Sequence, residues 1–159
     1  MTKFLLTVHV LAAIIAIGPV TVAASMFPPA TRRALAAPDD AAAPATAATL
    51  HRICRVYAVI AVVVPVFGLA TANSLHVLGS PWLLTSIALT VAAAAVLAAL
   101  VLPRQSSVLA ALDATDGVRD ATALRRTAGQ LGMYTGVFNL LWATVTVLMI
   151  VRPGSTTGA

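Results

Sequence analysis

Four apolar segments, Phe4–Met26, Val56–Ala72, Trp82–Leu102 and Leu131–Val151, fill most of the chain, and among His, Lys, Arg, Asp and Glu only His9 lies inside any of them. With its flanks each segment reaches the length of about 20 residues that a helix needs to cross a bilayer. Spans are therefore expected over residues 4–26, 50–72, 82–102 and 131–151, with connecting loops over 27–49 and 103–130. Composition agrees: 60% of the residues are hydrophobic and only 9% are charged, where a soluble domain carries about 25% charged. The expected fold is all-α, an antiparallel up-down four-helix bundle forming one integral membrane domain over residues 1–159.

The formal net charge of +5 does not point to nucleic acid, because the cations sit at span ends and in loops. Arg32, Arg33, Arg52 and Arg55 fall between spans one and two, and Arg104, Arg119, Arg125 and Arg126 between three and four; the opposite side has Lys3 and Arg152. Positive charge marks the cytoplasmic side, so both basic loops are expected in the cytoplasm and both termini outside, in a multi-pass protein of the bacterial inner membrane. Membrane lipids with anionic headgroups are the natural counter-charge. The first span has some look of a signal peptide, with Lys3 ahead and Ala23-Ala24-Ser25 behind, but its apolar run is too long for one and it is expected to be retained.

The first loop opens on Pro28-Pro29 and continues rich in alanine, proline and threonine, which suggests a flexible connector, with Thr31 to Ala37 able to form a turn of interfacial helix. In the second, Ala121, Leu124, Ala128 and Leu131 recur at helical spacing from Val118 onward, with Asp116 as cap, so the last span should extend beyond the membrane as a helix. Pro19 and Pro65 each remove a backbone donor, from the carbonyls of Ile15 and Ala61, and predict kinks in spans one and two. Small residues recur along three spans: Ala12, Ala13 and Ala16; Ala88, Ala92 and Ala95; Ala128, Gly132 and Gly136. Close backbone approach drives association of membrane helices, so these faces serve either the bundle itself or a homodimer or another membrane protein.

An imidazole inside a span needs a hydrogen-bond partner and is a functional candidate. His9 shares a helix face with Leu5, Leu6, Ala12, Ala13 and Ala16, which turns it into the bundle. Asn73, His76 and Met149 fall near the same outer side. Three readings of His9 follow: structural, bonded to a backbone carbonyl, a hydroxyl or Asn73; an axial ligand of haem; or a copper ligand with His76 and Met149. Asn139, on the last span with Thr135, Thr144 and Thr146, should bond across to a neighbouring helix. Trp82, Trp142, Tyr57 and Tyr134 include interfacial anchors. His51 and Arg55, one turn apart, suit a lipid phosphate or a link to Asp113 or Asp116. Cys54, the sole cysteine, is expected to pack as a small apolar residue beside Ile53.

No span contains a carboxylate, which argues against proton coupling through buried Asp or Glu. Neither a nucleophile paired with a base nor a phosphate-binding glycine loop is visible. A non-enzymatic accessory or assembly partner is therefore the expected role, with a haem- or copper-handling redox protein using His9 as the alternative.

The opening Phe4-Leu5-Leu6-Thr7-Val8-His9-Val10-Leu11-Ala12, the Gly18-Pro19 pair, Ser80-Pro81-Trp82-Leu83-Leu84, Leu102-Pro103 and the closing Val147-Leu148-Met149-Ile150-Val151-Arg152-Pro153 resemble a family of uncharacterised bacterial four-span integral membrane proteins carrying a domain of unknown function. More distantly, a bundle with a histidine early in its first span is similar to the copper-resistance D proteins and the haem-linked membrane protoporphyrinogen oxidases. That resemblance implies architecture and membrane location, and would carry over His9 alone as a ligand.

Overall fold

The computed structural model describes residues 2–114 and 120–154. Every element among them is helical: α1 Thr2–Ala36, α2 Ala42–Ile60, α3 Val63–Ser74, α4 Pro81–Ala95, a π-turn over Val96–Val101, α5 Leu102–Asp113 and α6 Ala121–Val151. They make four rods, because α2 and α3 follow one another as one rod interrupted at residues 61–62 and α4 runs through the π-turn into α5. The chain is thus an all-α four-helix bundle whose rods are each long and apolar enough to cross a membrane.

The rods contain 31 to 35 residues, roughly 47 to 53 Å at about 1.5 Å per residue, well beyond the ~30 Å of hydrocarbon they must cross. This corrects the expected connector over 27–49. Instead of a loop, α1 continues through Pro28 and Pro29 to Ala36, the chain turns over 37–41, and α2 begins at Ala42. The prolines deprive the carbonyls of Ala24 and Ser25 of donors, yet alanine has the highest helix propensity and this turn has a partner to pack on. Phe27, Pro28, Ala30, Thr31 and Ala34 are buried on α1, as are Ala43, Ala47 and Leu50 on α2. Thr31 returns its hydroxyl to the Phe27 carbonyl at 3.1 Å, and Asp40 accepts the Ala42 amide at 2.9 Å where α2 starts.

The second expected loop, 103–130, is likewise mostly helix. Asp120, rather than Asp116, caps α6: its carboxylate accepts the amides of Thr122 and Ala123, both at 3.0 Å. Asp116, Val118 and Arg119 lie outside the described residues. From Leu124 the helical spacing holds, with Leu124, Ala128 and Leu131 buried and Ala121 exposed.

Pro19, Pro65 and Pro103 act differently on the rods that contain them. Pro19 leaves α1 unbroken. Ahead of Pro65 the rod breaks at residues 61–62, and the Ala61 carbonyl takes the amide of Val64 at 3.0 Å in place of the donor that proline lacks. Pro103 is preceded by the π-turn, in which the Leu102 amide reaches back five residues to the Leu97 carbonyl. The Arg104 guanidinium covers the Leu100 carbonyl at 3.0 Å and lies 4.6 Å from the centre of the Tyr134 ring, a cation over an aromatic face.

α1 packs against α2 and α3 on one side and α6 on the other; α4 and the π-turn pack on α6, and α2 meets α5. The spans therefore neighbour one another in the order two, one, four, three. The large core lies in the half of the bundle nearest the basic connections, around Val20, Phe27, Cys54, Val101, Val108, Leu131 and Phe138. The opposite half holds a smaller cluster of Ala72, Trp82 and Leu83, with Met149 against it. The long apolar side chains left outside, such as Ile14, Val59, Leu84, Leu140 and Ile150, are what lipid contact requires and what water would penalise.

Candidate functional site

His9 sits in the less densely packed half, partly buried on α1, with Nδ1 2.9 Å from the carbonyl oxygen of Val64 at the start of α3. A carbonyl can only accept, so Nδ1 carries the hydrogen, and a neutral ring then keeps its lone pair on Nε2. One turn beyond Val64 the helix presents Gly68, and a Cβ placed there would lie 2.9 Å from His9 Cε1 and 3.2 Å from Nδ1. The imidazole occupies the space that this glycine leaves. Its partner is thus a backbone carbonyl and not Asn73, which is exposed and accepts the His76 amide through its own carbonyl.

The structure does not join His9, His76 and Met149 through any hydrogen bond. His76 is exposed in the turn after α3 with φ of 55°, whereas Met149 packs with Trp82 and Leu83 and gives its carbonyl to Arg152 Nε at 3.3 Å. Among the described residues no group of three or more His, Cys, Asp or Glu side chains is placed to hold a metal ion.

A second polar centre lies in the dense half. Gln105 on α5 is 0% exposed; its Oε1 accepts from His51 Nδ1 at 3.0 Å, and its Nε2 donates to Cys54 Sγ at 3.7 Å. His51 is therefore tied to Gln105 and not to Asp113, while Asp116 lies outside the described residues. Cys54 is buried in the apolar core as expected of a small residue, but it also accepts a hydrogen bond. The amide stands as partner to both thiol and imidazole, so the two are not engaged as a nucleophile and its base. The sequence did carry a signal for Gln105: Val101, Gln105, Val108 and Leu112 recur at helical spacing, and all four are buried.

The third centre is a row on α6. Asn139 Nδ2 donates to Ser25 Oγ on α1 at 3.2 Å, across the seam between the first and last spans. Its Oδ1, together with Thr135 Oγ1 and Trp142 Nε1, is buried without a hydrogen-bond partner among the described residues. Trp142 meets Phe138 edge to face, with ring centres 6.4 Å apart. At the far end of the bundle Trp82 Nε1 is unpartnered as well, with the Arg152 guanidinium 5.8 Å from the ring centre.

The small-residue faces divide between inside and outside. Ala16 and Ala128 are buried, but Ala88, Ala92 and Ala95 are exposed, and at Gly129, Gly132 and Gly136 an added Cβ would meet nothing within 4 Å. The glycines of the last span therefore present open backbone at the outside of the bundle.

No curated protein and no solved structure matches the chain. A family model does, over residues 3–153, which takes in all four rods. The chain belongs to DUF2269, a family described as predicted integral membrane proteins.

Proposed function

We propose that this protein is a non-enzymatic accessory or assembly partner in the bacterial inner membrane, with both termini outside, docking other membrane helices on the outer face of α6. The observation that carries this reading is the open pair Gly132 and Gly136, four residues apart on a membrane-crossing helix, where added side-chain atoms would meet nothing in the chain itself. Small residues at that spacing let a second helix approach to backbone contact. Met133 and Val137 flank the pair and are exposed, so they would border the joint. Photo-crosslinkers placed at these two positions in cells should capture a membrane protein or a second copy of the chain, and G132L/G136L should abolish that adduct. Capture of lipid alone at both positions sinks the reading.

A second reading, a haem- or copper-handling protein, has one observation in its favour. The bond from Nδ1 to Val64 leaves Nε2 as the free ring nitrogen of His9, the arrangement by which ligating histidines are commonly oriented. Purification from cells supplied with iron, haem precursor and copper tests it. A Soret band or stoichiometric copper that disappears in H9A supports the reading, and a colourless, metal-free bundle excludes it.

A further inference from the structure

One face of α2 carries a shallow groove, open to the outside and lined by His51, Arg52, Arg55, Val56 and Val59 of that helix alone. Its composition changes along the helix axis. The end nearest the α1–α2 turn offers two exposed guanidinium groups and an imidazole, and the end toward the middle of the rod offers two exposed valines. The imidazole is held in place from behind: Gln105, fully buried, accepts from His51 Nδ1 at 3.0 Å and is itself anchored on Cys54. A buried amide is unfavourable inside a membrane bundle unless its hydrogen bonds are made, and here both engage side chains of α2.

Charge identifies the occupant. The chain has five carboxylates, Asp39, Asp40, Asp113, Asp116 and Asp120, and none is on this stretch of α2 or on the part of α5 that faces it. The α5 and α2 segments cross at Gln105 and His51 in opposite chain directions, so Asp113 lies about two turns from that contact on the side away from Arg55. Arg52 and Arg55 are thus exposed with no acidic side chain paired to them among the described residues, and guanidinium groups bind phosphate oxygens in paired hydrogen bonds. Below them Val56 and Val59 continue the groove with apolar surface, which inorganic phosphate has no use for and an acyl chain does.

We infer that this groove is a binding site for an anionic glycerophospholipid, its phosphate held by Arg52 and Arg55 beside His51 and its acyl chain lying along Val56 and Val59. The site rests on the membrane location of the bundle and is independent of the glycine face on α6. Native mass spectrometry of the full chain in non-ionic detergent, titrated with phosphatidylglycerol or phosphatidylcholine, tests it. Wild type should retain phosphatidylglycerol preferentially, with R52Q/R55Q losing most of the preference and R55Q alone lowering it by about fivefold, the order expected for one basic residue at an anionic membrane surface. The control R125Q/R126Q, which removes the same charge from exposed positions of α6, should keep the preference. V59S should weaken retention of the lipid, and free glycerol phosphate should not displace it. Equal retention of both lipids by wild type, a preference that survives R52Q/R55Q, one lost equally in R125Q/R126Q, or displacement by free glycerol phosphate overturns the proposal; far-UV circular dichroism establishes that each variant compared is folded.

Discussion

The imidazole of His9 lies directly against the α-carbon of Gly68, so closely that a single methyl group there would come within 2.9 Å of the ring. Because the contacting atoms belong to a rigid ring already bonded to Val64, one of the two must move. Gly68→Ala should therefore push His9 off the Val64 carbonyl, while His9→Ala removes the same bond from the other side. Interhelical hydrogen bonds in membrane proteins contribute about 1 kcal/mol, and each single variant should lose stability of that order in an SDS-unfolding titration. The double variant should lose clearly less than the sum, since without the imidazole ring nothing fills the space beside residue 68. Strict additivity would show that the two residues do not act on one contact.

Replacing Gln105 by alanine leaves His51 Nδ1 without its acceptor and opens a gap beside Cys54. An unpaired buried polar group is unfavourable by about 1–3 kcal/mol, and loss of the side-chain volume adds to that. The thiol is the direct reporter, being 0% exposed in the core. In detergent, a maleimide should label Cys54 of the wild type only slowly until SDS unfolds the protein. Q105A should speed labelling by at least about tenfold, the factor that ~1.4 kcal/mol of easier opening gives. Equal labelling rates in the two proteins would mean that Gln105 does not close this part of the core.

The four spans were legible because a membrane helix must be apolar for about 20 residues, and no other pattern in this composition competes with that one. Their full lengths were not. Hydropathy falls where Pro28-Pro29 and the alanine and threonine of the first connection begin, but helix formation there follows from alanine propensity and from the burial of Phe27 and Thr31. Hydropathy registers neither. His9 was visible as an isolated imidazole. Its partner was not, since a backbone carbonyl has no side-chain signature and Gly68 alone hinted at the space. Among the small residues, spacing identified the faces but not their direction: Ala128 turns inward and Gly132 outward on the same helix. The π-turn ahead of Pro103 depends on backbone hydrogen bonds shifting by one residue, which the proline suggests only in retrospect.

The break at residues 61–62 has a definite cause in Pro65, whose missing amide frees the Ala61 carbonyl to bond the Val64 amide instead. Pro65→Ala restores the donor and removes the ring that crowds the preceding turn, so α2 and α3 should merge into a straighter rod. The distance between spin labels at Thr46 and Asn73, one on each side of the break, should lengthen. The same change moves Val64 relative to α1 and should weaken its bond to His9. P65A is accordingly expected to lower stability even though it improves the helix locally. An unchanged label distance would place the cause of the break in packing against α1.

Asn139 is a different case, because only half of its amide is used. Nδ2 meets Ser25, whereas Oδ1 is buried and unpartnered among the described residues. Truncation to alanine would lose the hydrogen bond and leave a gap, but Asn139→Leu fills similar volume and removes the unsatisfied oxygen together with the donor. Replacing a poorly satisfied buried polar group by an apolar one of like shape is neutral or stabilising. The released Ser25 hydroxyl is at an exposed position on α1 and can turn to the carbonyl one turn back, as Thr7, Thr31, Thr71 and Thr90 do in this protein. N139L should therefore match or exceed the wild type in thermal stability in detergent, within about 1 kcal/mol, while N139A falls below both. A marked loss of stability in N139L would instead show that Oδ1 has a partner in the membrane, and would make the row of Thr135, Asn139 and Trp142 the first place to look for a bound group.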